Sequence, residues 1–173
     1  LRIPPVKVIE RGRLRRDVWR MIFANIRYPI VEEDIEAQVG ATRVGERALH
    51  ELFGRFDAAE FDACVEYLFD ASERMVRREI AAIPDGTYRG ASEAFYDGVR
   101  EGSRMRIELA VTVAGDAITF DFAGTSPQTP GFVNAPHSAT ASALLLTFLM
   151  LIDPDVPHNA GILRPIRIVV PEG

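Results

Sequence analysis

Cysteine is almost missing from this 173-residue chain: Cys64 stands alone. A single cysteine excludes an internal disulfide framework and any cysteine-rich metal site. Cys64 falls among apolar residues at helical spacing, which predicts an inert core thiol, and no base partner marks it as a nucleophile. Histidine is scarce too. His50, His137 and His158 form no H-x-x-x-H pair, so no metal site is expected here. His50 should lie exposed in mid-helix, whereas His137 and His158 occupy polar, proline-flanked loops that folding can bring together. Neither a Walker pattern nor G-x-G-x-x-G occurs, and no nucleotide is expected to bind this segment. The longest apolar run, Ala139 to Ile152, has 14 residues, too few to cross a bilayer. Nothing resembles a signal peptide, so a cytoplasmic location without a membrane is expected. A net charge of −5 with no basic cluster to offset it argues against nucleic-acid or anionic-membrane partners. The densest positive run (Arg11, Arg13, Arg15, Arg16) reads as a solvated face or a contact with a partner chain.

What remains is 47% apolar and 26% charged, the composition of a soluble domain with a sizeable core. Charge is spread unevenly. Residues 1–104 hold 17 of the 20 basic and 19 of the 25 acidic side chains, and residues 105–173 hold 3 and 6. No Asp, Glu, Lys or Arg occurs from Phe122 to Ile152. The first region is therefore expected to be mainly helical and solvated, the second largely buried in the native assembly. Leu1 in place of a methionine, and the turn-like close Pro171-Glu172-Gly173, predict an excerpt of something longer.

Apolar spacing predicts a helix over residues 13–27 through Leu14, Val18, Met21, Ile22 and Ile26. A second helix is expected from Ile30 to Phe56, with Glu32, Glu33 and Asp34 in its first turn, where they complement the helix dipole. Its stripe is Ile35, Val39, Leu49, Leu52, Phe53 and Phe56, and Gly40 and Gly45 mark a close helix crossing. A third, Ala58 to Ile83, turns Phe61, Val65, Leu68, Ser72, Met75, Val76, Ile80 and Ile83 inward, and Pro84-Asp85-Gly86-Thr87 stops it. The period then changes. Ile107, Leu109, Val111 and Val113 alternate, as do Ile118, Phe120 and Phe122, with a turn at Gly115-Asp116, which predicts a β-hairpin. A buried helix over residues 138–152 with a small-residue face (Ala139, Ser142, Ala143) and a strand from Ile166 to Val170 complete the reading. The fold class is α+β: antiparallel helices, then a hairpin, a buried helix and a further strand.

The stretch from Asp121 to Asn134 is the most informative. It leaves a strand and becomes glycine, proline and small polar residues, without Lys, Arg or Glu. Such a loop carries neutral hydrogen-bonding groups that need partners wherever they are buried. It reads as an ordered site or a buried connection. Thr125 and Ser126 follow Gly124 at a strand end, but Gln128 stands where a Gly-x-Ser-x-Gly elbow needs glycine. Their hydroxyls therefore satisfy backbone groups of a turn, or contact a substrate. Asp121 needs a partner, and two are open: Arg164, or backbone amides of the Gly124–Ser126 turn. Asp153/Asp155 and Glu32/Glu33 read as turn and cap chemistry.

In order, Ile3-Pro4-Pro5-Val6-Lys7, Gly45-Glu46-Arg47, Pro84-Asp85-Gly86-Thr87-Tyr88, Asp121-Phe-Ala-Gly-Thr-Ser126, Gly131-Phe-Val-Asn134, Pro157-His-Asn-Ala-Gly161 and Leu163-Arg-Pro165 span nearly the whole chain. Together they resemble the hydantoinase B/oxoprolinase family, which includes the B-type subunits of N-methylhydantoinases, the C-terminal half of 5-oxoprolinase and the large subunits of acetone and acetophenone carboxylases. The resemblance implies that both regions belong to one larger domain of a longer, oligomeric subunit. It implies an A-type hydantoinase partner that uses ATP, a small cyclic amide or ketone as substrate, and a divalent metal held by motifs outside this chain. Phosphorylation on the partner would activate the substrate, and the B-type subunit would complete the reaction. Position-matched candidates are Asp121 and Ser126 as catalytic groups, and Thr125, Asn134, Asn159 and Arg164 as substrate contacts. Neutral amides and hydroxyls suit a polarised carbonyl, and arginine suits an acyl phosphate or carboxylate.

Overall fold

The computed structural model describes residues 3–172. Leu1, Arg2 and Gly173, on which the expectation of cut ends partly falls, lie outside the described residues. The chain divides into two compact units, Leu1–Phe61 and Asp62–Gly173.

In the first unit the chain reverses at Arg11 and Gly12, both with positive φ (50° and 75°). That is the backbone of a two-residue hairpin turn. It joins strands β1 (Ile9–Glu10) and β2 (Arg13–Leu14), which pair antiparallel. Helix α1 therefore runs only from Arg16 to Phe23, and Leu14 belongs to the hairpin, not to the helix expected over residues 13–27. Trp19 is its buried anchor: its ring lies 4.6 Å from that of Phe23, and its indole N–H donates to Glu32. Helix α2 (Ile30–Phe53) fully buries none of its residues: Ile35 and Val39 of its apolar stripe are half-buried, while Leu49, Leu52 and Phe53 are exposed. At Gly40 and Gly45 nothing lies within 4 Å of where a Cβ would stand, so the expected close helix crossing is absent among the described residues. Helix α3 (Ala58–Ala81) begins where the Asp57 carboxylate accepts from the Glu60 amide at 2.8 Å, an N-cap.

The second unit is a four-stranded sheet with helices on one face. Strands β3 (Gly86–Tyr96), β4 (Glu101–Ala114) and β5 (Ala117–Asp121) run antiparallel, and β6 (Ile166–Val169) joins β5 in parallel. The predicted β4–β5 hairpin is present, closed by Gly115 at φ 61°. The unexpected strand is β3. Its inward positions (Tyr88, Gly90, Ser92, Ala94) carry no strong apolar alternation, and tertiary pairing with β4 decides its state. The parallel connection passes through α4 (His137–Leu149) and a short 3-10 helix, Ala160–Leu163.

Val76 and Ile80 of α3 are fully buried in a core with Val113, Ile118, Phe120, Phe148, Val156 and Ile162. Each such side chain contributes about 1.5–3 kcal/mol of burial. Two expectations change here. Cys64 is exposed, not a core thiol, because it flanks the stripe through Val65, Phe69, Ser72, Val76 and Ile80. Helix α4 buries one side only, through Phe148, because the sheet offers it a single face. Leu146, Met150 and Leu151 stand 65%, 78% and 79% exposed, and Ala139, Ser142 and Ala143 are exposed as well.

Candidate functional site

The charge-poor loop leaves β5 at Asp121 and is fastened at three places. At the strand end, Asp121 Oδ1 accepts from the Ala123 amide at 2.8 Å, and the Thr125 amide donates to the Phe122 carbonyl at 2.9 Å. Next, Thr125 and Ser126 attach the loop to β4. Thr125 Oγ1 lies 3.2 Å from both the amide and the carbonyl of Glu108. Ser126 exchanges two bonds with the Arg106 backbone, its amide donating at 2.8 Å and its Oγ accepting at 2.9 Å. Finally, Asn134 closes the far end: Oδ1 accepts from the Thr129 amide at 2.9 Å, and Nδ2 donates to the carbonyls of Thr129 and Gly131 at 2.8 and 3.0 Å.

The hairpin bend between β3 and β4 braces this loop. Asp97, fully buried, accepts from the amides of Val99 (2.8 Å) and Arg100 (2.6 Å), and from Arg100 Nε at 3.3 Å. The Arg100 and Val99 amides hold its carboxyl below the ordinary aspartate value, against the opposing effect of burial. Its carbonyl accepts from the Phe132 amide at 3.1 Å. Gly98, at φ 90°, lies where a Cβ would overlap the Phe132 ring. Two clefts flank the loop. One, about 530 Å³, is lined by Arg100, Ser103, Arg104, Ser126, Gln128 and Thr129. The other, about 410 Å³, is lined by Arg89, Ala91, Glu108, Ala110, Asp121 and Gly124.

Asn159 and Arg164 belong to a different place in the same unit. Asn159 Oδ1 caps the 3-10 helix through the Gly161 amide (2.9 Å), and Nδ2 donates to Ser72 Oγ at 2.8 Å. Ser72, fully buried, donates in turn to the Pro157 carbonyl at 3.1 Å. Arg164 bridges Asp70 (2.6 Å), Glu66 (2.9 Å) and Glu73 (3.1 Å) on α3. The bonds to Asp70, Glu73 and Glu66 raise its pKa further. Asp121 meets neither of its two expected partners: Arg164 is engaged on α3, and the amide it accepts from is that of Ala123, one residue before the Gly124–Ser126 turn. Thr125, Ser126, Asn134 and Asp121 thus share one loop, while Asn159 and Arg164 fasten the segment before β6 to α3.

Sequence reasoning missed Asp97 and Arg89, whereas Ser72 was expected on the inner side of α3 and is fully buried there. The Asp97-Gly98 pair is a turn signal that would have placed the β3–β4 bend. Arg104, Arg106 and Glu108 fill the polar half of the β4 alternation, so a charged sheet face was legible there. Among the described residues, no three His, Cys, Asp or Glu side chains are grouped to hold a metal ion. Among the described residues, no helix is long and apolar enough to cross a membrane.

The profile of the Hydantoinase B/oxoprolinase family matches residues 1–173. A protein of Pseudomonas sp. (strain NS671), assigned as the B-type component of a D-/L-hydantoinase, is 37% identical, covering 100% of this chain and 31% of its own length. The beta chain of caprolactamase from Pseudomonas jessenii is 33% identical over 97% of this chain and 29% of its own. The crystal structure of ATP-dependent caprolactamase from the same organism superposes with a TM-score of 0.80 at 32% identity, over 99% of this chain and 30% of that one. Nucleotide-free acetone carboxylase, at 18% identity and a TM-score of 0.73, shares the fold over 93% of this chain and 23% of its own. The chain spans about a third of the length of the curated relatives it matches first.

Proposed function

Because this chain belongs to the hydantoinase B/oxoprolinase family, we propose that it forms part of the B-type subunit of an ATP-dependent cyclic-amide hydrolase acting with an A-type, nucleotide-binding partner. The observation that carries this reading is the caprolactamase match, which holds in both sequence (33%) and fold (TM-score 0.80). Ketone carboxylation is the second reading. It draws on the acetone carboxylase likeness, which at 18% identity is a likeness of fold alone.

In this reading Asp121 works at the reacting group, because one of its carboxylate oxygens has no hydrogen bond to a described residue. Ser126 is the second candidate: its oxygen accepts from the Arg106 amide, which leaves the hydroxyl proton available to donate into the larger cleft. A neutral donor of this kind suits a carbonyl oxygen that gains charge during attack. Thr125, Asn134, Asn159 and Arg164 act as positioning residues, holding the loop and the segment before β6 in place.

The test is an assay of the full-length protein with its A-type partner and ATP on hydantoin, caprolactam and 5-oxoproline, beside acetone with bicarbonate. Ring opening supports the proposal, and carboxylation without ring opening replaces it with the second reading. The isolated chain is expected to turn over none of them. Turnover by the chain alone would refute a site shared between subunits.

A further inference from the structure

The sheet face opposite the helices carries charged side chains in register. Arg89 pairs with Ala110, and Ala110 pairs with Asp121, so all three project from the same face. The next rows are Ala91 with Glu108, then Glu93 with Arg106. Four of these charges satisfy one another. Arg104 contacts Glu93 at 2.6 Å, Arg106 contacts Glu93 at 3.7 Å, and Arg106 also pairs with Glu108.

Arg89 and Asp121 are left over. Arg89 has no hydrogen bond or ion pair to a described residue, and Asp121 spends one oxygen on the Ala123 amide. Ala110 separates them. Two strand spacings place their backbones about 9–10 Å apart, and the 410 Å³ cleft opens over the gap. Gly124 closes one end of it, so tightly that a Cβ there would overlap the Glu108 side chain. A cation and an anion face one slot across a floor of Ala91 and Ala110, with no ion pair between them.

The geometry points to a site for a small molecule that carries a carboxylate at one end and an ammonium or N–H donor at the other. Arg89 takes the carboxylate through its planar fork, Asp121 takes the nitrogen, and the alanine floor lies under the spacer. This inference rests on the ring-opening reading. Hydrolysis of a cyclic amide breaks the C–N bond, places the hydroxyl of water on the carbonyl carbon and its remaining proton on nitrogen. One molecule then carries both groups. The slot accordingly holds the opened product, or an open-chain species on the way to it.

Calorimetry on the full-length protein with 6-aminohexanoate, hexanoate and hexylamine tests the site. The variants are Arg89→Gln, on an exposed edge strand, and Asp121→Asn, which keeps the oxygen that accepts from Ala123. 6-Aminohexanoate should bind about tenfold tighter than either one-ended probe, as expected when a second charge-assisted contact is added. Arg89→Gln should weaken 6-aminohexanoate and hexanoate and leave hexylamine unchanged. Asp121→Asn should weaken 6-aminohexanoate and hexylamine and leave hexanoate unchanged. Equal binding of the three probes, or wild-type binding of 6-aminohexanoate by both variants, overturns the site. The two readings fail separately. Two-ended binding in a protein that opens no cyclic amide upholds the site and refutes the reaction. Ring opening with probe binding indifferent to Arg89 and Asp121 refutes the site and leaves the reaction standing.

Discussion

Gly131 lies so close to Asp97 that a Cβ on it would overlap the Asp97 carbonyl, the same oxygen that accepts from the Phe132 amide at 3.1 Å. A backbone contact without room for one carbon joins the loop after β5 to the β3–β4 bend. Gly131→Ala should therefore force the two apart and destabilise the unit by about 1–3 kcal/mol, the usual cost of overpacking. Chemical denaturation of variant and wild type measures it, and an unchanged midpoint would mean that the loop is not seated on the bend.

Asp97 makes the same junction sensitive to acid. Its carboxyl is held below the ordinary value of 3.8, chiefly by the Arg100 amide and then by that of Val99. A depressed folded pKa contributes stability that is present above the unfolded value and disappears as pH falls through the folded one. Stability should thus decline below about pH 4, and Asp97→Asn should flatten that part of the profile. Thermal melts from acid to neutral pH check the slope, and an identical profile in the variant removes Asp97 as its source.

Ser72 and Asn159 should prove energetically coupled. Their 2.8 Å bond is part-buried, and either truncation leaves a polar group of the other without its partner. Each single alanine variant should cost about 1–3 kcal/mol. The double variant should cost less than the sum, by about 0.5–3 kcal/mol. Strict additivity in a double-mutant cycle would show that the bond contributes nothing of its own.

Ile80→Ala should be among the most damaging core substitutions, at about 2–5 kcal/mol, because Ile80 is fully buried among sheet and helix side chains. Leu151→Ala, at a position 79% exposed, should change stability by less than about 0.5 kcal/mol. Parallel denaturation curves compare them, and a larger loss at Leu151 would place a covering surface over the turn that follows α4.

Ser126→Ala separates fastening from chemistry. Loss of the hydroxyl that accepts from the Arg106 amide should cost about 1 kcal/mol of stability. A role in ring opening should also lower kcat in fully folded protein. A stability loss with unchanged kcat would leave Ser126 as a fastening residue only.

Much of the fold was legible because its signals are local. The α2 and α3 spans and the β4–β5 hairpin follow from helical and strand periodicity and from Gly115-Asp116 at the turn. Helix α1 was overextended because Arg11-Gly12 lacks the usual Asn-Gly signature of its hairpin turn. Strand β3 was missed because an edge strand can form on pairing alone, with weakly apolar residues facing the core. The candidate site was legible as a loop, through its missing charges. Its fastening points were not, since Thr125 with Glu108 and Ser126 with Arg106 depend on where the loop lands on β4.

By itself, the sequence determined the α+β class, the helices α2 and α3, the β4–β5 hairpin and the family, since composition, periodicity and short motifs are properties of neighbouring residues. Only the tertiary structure decided which residues share a site. Arg164 went to Glu66, Asp70 and Glu73 on α3, and Asp121 to a backbone amide two residues on. Register then set Arg89 and Asp121 on one face with Ala110 between them. A slip of one residue in either pairing would send one of the two charges to the opposite face, and no local pattern encodes that choice.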